Sequence, residues 1–308
     1  MTDAAALPRS IALFGHRGAR GLRPENTIEG FAAIASLDLT GAEFDVGLTV
    51  DDVVVVHHDP RLNPDIARDG AGNWLAPEAA PLLRAQRFAE LAAYDVGRLR
   101  PGSDYAARYP AQAPADGARI PTLDAVIEAL AGRDLLVEVK TFPDHPDRTA
   151  TPERMAAAVI DTLRRHRAIG RTLLFAFDWR VLRAAAAIEP GLRRCGLTAP
   201  DTVEAAPLWL GGIDLDAFGG QLPRAVAALG AVCWAPFHGT LQQSEVREAH
   251  ALGLLVLPWT VNTAEAFDRM IGFGVDGMIS DRPDLARDAI ARAGLQLAAP
   301  GFVAAAPG

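Results

Sequence analysis

Short apolar or β-branched runs recur along this chain, with helix-patterned segments between nearly every pair. Eight principal strands are predicted, near residues 11–15, 42–46, 135–139, 172–177, 193–197, 231–235, 254–261 and 277–280. A further run, "VVVVHHD", is read as a hairpin arm joined to the second strand by the "VDD" turn. Strands that alternate with helices form a parallel sheet, because each helix carries the chain back to start the next strand. Eight such units predict an α/β fold closed as a (β/α)8 TIM barrel. An open doubly wound sheet is the competing architecture, and no GxGxxG follows the first strand to support its dinucleotide-binding version. Asn26 is read as the N-cap of the first helix, with Glu29 at the third helical position, and Thr151 caps a later helix with Pro152 at its first position.

Between Pro60 and about Pro121 the periodicity dissolves into Pro, Gly, Arg and Asp with short helical pieces such as "RFAELAAY". A break of that length after the second barrel strand is read as a small insertion, about 60–120, lying over the barrel mouth. Residues 1–308 are read as one domain that carries it, with a frayed tail after Ala298.

Net charge −8 argues against general binding to nucleic acid or anionic membranes. No leader-like pattern opens the chain and no apolar run is long enough to span a bilayer, so a cytoplasmic protein without stable membrane insertion is expected. No pattern speaks to oligomeric state. Cys195 and Cys233 sit in apolar runs and read as small buried hydrophobes rather than a disulfide or zinc site. Of the 30 basic residues, Lys140 is the only lysine. The arginines are read mostly as surface charge, with Arg20 and Arg23 as surface charges or strand-loop anchors. A lone lysine inside an acidic strand reads as a position that needs a compact point charge.

Barrels carry their chemistry at the C-terminal ends of their strands. His16 and Arg17 end the first strand, His58 and Asp59 end the hairpin arm, and Trp259 and Asn262 end the seventh strand. Glu43 and Asp45 are spaced i, i+2 and so share a face, as do Glu138 and Lys140. Glu43, Asp45 and Glu138 would repel one another unless a cation joined them, and an all-oxygen set suits Mg²⁺ or Ca²⁺. Arg17 and Lys140 beside that cation suit a phosphate, and two flanking histidines suit a general acid and a general base. His57 should face away from His58, as adjacent strand residues do.

These pieces resemble the glycerophosphodiester phosphodiesterase family. The matching stretches, in family order, are "HRG" (16–18), "PENT" (24–27), "EFDVGLTVDD" (43–52), "VVHHD" (55–59), "PTLDAV" (121–126), "VEVK" (137–140), "PWTVN" (258–262) and "GVDGMISDRP" (274–283). Asp52 stands where the family has glycine, and Ala176 in "FAFDW" where it usually has serine. The resemblance implies a barrel of the phosphatidylinositol-phosphodiesterase type with His16 and His58 as the acid–base pair. It further implies Glu43, Asp45 and Glu138 as ligands of one divalent cation, with Arg17, Lys140 and Trp259 as substrate contacts. The implied reaction is hydrolysis of a small glycerophosphodiester to glycerol 3-phosphate and an alcohol. Lysophospholipase D-like or phosphodiester lyase activity, or non-catalytic phosphate binding, are the alternatives.

Overall fold

The computed structural model describes residues 10–306. Residues 1–9, which carry part of the leader reading, and residues 307–308 lie outside the described residues. Among the described residues there are ten strands: β1 (Ser10–His16), β2 (Gly41–Leu48), β3 (Val54–Val56), β4 (Asp134–Val139), β5 (Thr172–Ala176), β6 (Arg193–Thr198), β7 (Cys233–Pro236), β8 (Leu255–Val256), β9 (Gly277–Ser280) and β10 (Gln296–Leu297). β1, β2, β4, β5, β6, β7 and β8 pair in parallel in that order, and β9 pairs in parallel with β1. Backbone hydrogen bonds from Asp276 N to Val256 O (3.1 Å), Ile279 N to Pro258 O (3.1 Å) and Val261 N to Ile279 O (2.9 Å) close the ring. The fold is a (β/α)8 barrel.

Alternation along each strand sorts two cores. Ala42, Phe44, Val46, Leu135 and Val137 point outward into the layer shared with the helices. Phe14, Leu136, Phe175, Leu197, Leu257 and Ile279 point inward and fill the barrel. Cys195 and Cys233 are register partners inside that filling, free and buried, as small hydrophobes would be.

Three local readings are corrected. Asn26 does not cap the first helix, Ile28–Ser36; the Thr27 hydroxyl does, accepting from Gly30 N at 3.0 Å. Asn26 instead takes a left-handed φ of 53°, which Asn tolerates better than most residues, and turns its amide to the site. The predicted strand at 254–261 is regular only at Leu255–Val256. Pro258 has no N–H to give, although Trp259 N still donates to Pro236 O at 3.1 Å. The tail after Ala298 is not frayed in its described part. A short helix, Phe302–Ala305, closes the base of the barrel, with Val303 fully buried in the inner core and Phe302 edge-on to Phe14. Asp134 accepts from Gly301 N and Val303 N at its start, and Arg193 donates to Ala304 O and Ala306 O at its end. Burying Val303 contributes about 1.5–3 kcal/mol.

β3 folds back antiparallel on β2, Val46 opposite Val56. Asp52 in the connecting turn has φ 60°, which is why a glycine suits this position in the family pattern. Residues 60–121 follow, with their own small core of Leu62, Leu83, Leu91, Val96 and Ile120 against Val55. They dock on the loop after β1: Gln112 donates to Arg20 O at 2.7 Å, and Ala113 N to Leu22 O at 2.9 Å. Among the described residues no helix is long and apolar enough to cross a membrane.

Candidate active site

Strand register builds the centre of the mouth. In the parallel ladders His16 lies beside Glu43, and Asp45 beside Glu138, all on the inward face one step beyond the apolar filling. Oxygens of Glu43, Asp45 and Glu138 all lie within 4.8 Å of one another, and all three residues are buried. Burial and the charges of Asp45 and Glu138 push the Glu43 carboxyl well above its ordinary range. Burial likewise raises Glu138, against the opposing pull of Lys140. Burial also disfavours charge on Asp45, but His58, Arg17 and Lys140 outweigh it and hold this carboxyl low. Asp45 Oδ1 accepts no hydrogen bond within the protein. Three buried carboxylates, one whose proton affinity its neighbours raise and one with an unused oxygen, fit a hard divalent cation.

The cations of the site are held by acids. Arg17, at φ 50°, donates from Nη1 to Glu25 Oε1 at 2.9 Å and places Nε 3.3 Å from Asp45 Oδ2, while its backbone N–H donates to Glu43 Oε2 at 3.2 Å. A non-glycine residue held in that conformation by bonds on both sides is a mark of functional sites. Lys140 Nζ lies 2.5 Å from Glu138 Oε1 and 3.6 Å from Asp45 Oδ1. Burial lowers its affinity for the proton, but those two acids more than restore it, so Lys140 stays charged.

Each histidine has a carboxylate behind it. His16 Nδ1 lies 2.6 Å from Asp281 Oδ1, which directs Nε2 into the mouth, 3.7 Å from Glu43 Oε2. His58 Nδ1 lies 2.7 Å from Asp59 Oδ1, with Nε2 4.0 Å from Asp45 Oδ1. Burial and nearby Arg20 lower His16. Burial, Arg17 and Lys140 push His58 down to about 4, although 30% of its side chain still faces solvent. His57 turns away: it is buried, with Nε2 3.3 Å from Arg61 O. Trp259 stands over the mouth with its ring 5.3 Å from Phe177 and its indole N–H donated to Ala235 O. His16, Arg17, Glu43, His58, Glu138, Lys140 and Trp259 line one hollow of about 140 Å³, and Asp45 lies beneath it.

Four residues not assigned to the site from the sequence belong here. Asp281 orients His16. Arg20, read as surface charge or strand-loop anchor, is a buried anchor: its Nε donates to Asp281 Oδ1 at 2.9 Å and its Nη1 to the Tyr105 hydroxyl of the 60–121 segment at 3.2 Å. Glu25 pairs with Arg17 and accepts from Tyr105. Asn26 donates to Asp45 Oδ2 at 3.0 Å. Asp281 was detectable, because it follows Ile279 at the period of two that places Ile279 inward. Arg20 was hidden by the abundance of arginine.

This places the chain among (β/α)8 barrels with an acidic, histidine-flanked mouth. A Silicibacter pomeroyi protein provisionally named a glycerophosphoryl diester phosphodiesterase has a similar structure, with TM-score 0.85 and 37% identity, over 94% of this chain and 96% of that one. A glycerophosphodiester phosphodiesterase of Caldanaerobacter subterraneus is 26% identical over 88% of this chain and 94% of its own length. An Oleispira antarctica phosphodiesterase, solved with its product sn-glycerol 3-phosphate, shares the fold at TM-score 0.67 and 22% identity, over 91% of this chain and 96% of that one. Residues 16–285 match the glycerophosphoryl diester phosphodiesterase family, and the chain belongs to it.

Proposed function

We propose that the protein hydrolyses glycerophosphodiesters to glycerol 3-phosphate and an alcohol, with Glu43, Asp45 and Glu138 holding a divalent cation, Mg²⁺ or Ca²⁺. The observation that carries this is the meeting, in one hollow, of the three carboxylates and two histidines each backed by a carboxylate. When bound, the cation polarises a phosphoryl oxygen and offsets its charge. Arg17 and Lys140 add fixed positive charge on the same wall, already oriented by Glu25 and Glu138, so they need little rearrangement as charge develops on phosphorus oxygens. One histidine takes, through Nε2, the proton of the attacking oxygen as its bond to phosphorus forms, and the other delivers a proton to the alcohol oxygen as its bond to phosphorus breaks. The attacking oxygen belongs to water, or to the glycerol 2-hydroxyl, whose cyclic phosphate a water then opens to glycerol 3-phosphate. Asp281 and Asp59 hold the two rings and stabilise whichever becomes imidazolium. Trp259 walls the substrate, and the 60–120 segment, tied to the mouth through Tyr105, Arg20 and Glu25, covers the site as part of the same domain.

A phosphodiester panel tests the reading. Glycerophosphodiesters should release glycerol 3-phosphate with kcat/KM well above that for cyclic nucleotides or diaryl phosphates. Preference for a diester without glycerol would overturn it.

A further inference from the structure

The wall that carries Arg17 is not held by barrel residues alone. Arg17 Nη1 donates to Glu25 Oε1 at 2.9 Å. The other oxygen of that carboxylate, Oε2, accepts from the Tyr105 hydroxyl and from no other donor among the described residues. Tyr105 lies on a short helix, Asp104–Arg108, within the 60–121 segment, and the Ser103 hydroxyl caps that helix by accepting from Ala106 N at 3.0 Å. Its ring is fixed from two sides, edge-on to Tyr109 at 5.2 Å and beneath the Arg108 guanidinium at 4.7 Å. The phenol oxygen also accepts from Arg20 Nη1 at 3.2 Å. The two branches depend on it unequally. Without the hydroxyl, Arg20 keeps both its bonds to Asp281, at 2.9 and 3.2 Å, whereas Glu25 Oε2 keeps none. Glu25 is only 4% exposed, and burial opposes its charge; Arg17, Arg20 and the Tyr105 hydroxyl together hold it below the ordinary carboxylate range. Burial and the Glu25 charge raise the phenol in turn, so Tyr105 stays a donor. A buried carboxylate oxygen left without a donor carries its full desolvation cost, and a carboxylate that turns toward another donor withdraws the partner of Arg17. Arg17 lines the catalytic hollow, while neither Glu25 nor Tyr105 does.

We propose that Tyr105 is a positioning residue for the reaction: through Glu25 it fixes the Arg17 guanidinium against the phosphoryl group. On this account the 60–121 segment completes the phosphate wall as well as covering it. The proposal rests on the glycerophosphodiester reading above.

The test uses Tyr105→Phe, which removes the hydroxyl and keeps the ring, in the full chain with its divalent cation. Glycerophosphocholine, glycerophosphoethanolamine and glycerophosphoglycerol serve as substrates that differ only in the leaving alcohol. The value of kcat/KM should fall at least about tenfold, by the same factor on all three, because the wall that loosens faces the phosphoryl group they share. The inhibition constant of inorganic phosphate should rise with it. On a Glu25→Gln or an Arg17→Ala background the same change should cost less than about twofold, since the path it acts through is already broken. Thermal melts establish that each variant is folded at the assay temperature. A Tyr105→Phe protein within about twofold of wild type, a loss confined to one diester, or an equal loss on every background would overturn the positioning role and leave the hydrolase reading intact. Wild type without turnover on any of the three diesters would remove both.

Discussion

Asp281→Asn probes the carboxylate that stands behind His16. The two carboxylate oxygens of Asp281 are surrounded by donors. Oδ1 receives Arg20 Nε at 2.9 Å and faces His16 Nδ1 at 2.6 Å; Oδ2 receives Arg20 Nη2 at 3.2 Å and Asn262 Nδ2 at 2.8 Å. An amide NH₂ therefore meets another donor on either side. At the Oδ2 position it opposes two donors, and Asn262 cannot flip freely because its Oδ1 accepts from Asp281 N at 2.9 Å. At the Oδ1 position it can donate to His16 Nδ1, but only if the imidazole proton moves to Nε2. That tautomer has no lone pair facing the mouth, so it cannot take a proton there. With His16 as the general base, that loss costs about 10²–10⁴-fold, and we expect kcat to fall at least about 10²-fold with KM little changed. Arg20, buried, also loses its charge partner; breaking a buried pair costs about 3–5 kcal/mol, and the Tyr105 contact keeps the loss toward the lower end. Steady-state kinetics with thermal melts would show both effects. A folded Asp281→Asn protein with kcat within about threefold of wild type would refute His16 as a base oriented by Asp281, since a ring protonated at Nε2 cannot accept a proton at the mouth.

Lys140→Arg should lower kcat/KM by at least about tenfold, roughly 1.4 kcal/mol, because a longer, forked guanidinium cannot keep the compact contact with Glu138 and Asp45; near-normal kinetics would make Lys140 a simple counter-charge. His58→Ala should lose at least about 10²-fold in kcat, while His57→Ala, whose ring points to Arg61 O, should lose far less in kinetics; the reverse order would place the wrong histidine at the mouth. Burial and the charges of Asp45 and Glu138 raise the Glu43 carboxyl above its ordinary range without a cation, and it must be ionised to serve as a ligand. Titration of Mg²⁺ or Ca²⁺ into the chelator-treated chain should therefore release protons and bind more tightly as pH rises, and calorimetry in buffers of different ionisation heat reads this directly.

Much of the barrel and of its mouth is legible in the residues, because the period of two that hides Phe14, Leu136 and Leu257 inside also carries His16, Glu138 and Trp259 to the strand ends. What is not legible depends on partners far away in sequence. Asn26 and Thr27 are both cap formers, and only the position of Asp45 across the mouth decides which one turns inward. Arg20 looks like any other arginine until Asp281, 261 residues on, lies beside it. The apolar run of the tail after Ala298 is only five residues long and is bracketed by Pro and Gly, too short to announce a helix, and it is held by Asp134 and Arg193 from two barrel strands. Pro258 shortens a strand that apolar content alone extends.

The central claim is that glycerol 3-phosphate is released only when the Glu43, Asp45 and Glu138 cluster holds a divalent cation. Chelator-treated protein, incubated with a glycerophosphodiester and titrated with Mg²⁺ or Ca²⁺, tests it in one measurement. We predict no turnover at zero metal and saturable recovery as the cluster fills, with Zn²⁺ a poor substitute for an all-oxygen site. Full release of glycerol 3-phosphate in excess chelator, from protein shown to be free of metal, would contradict it.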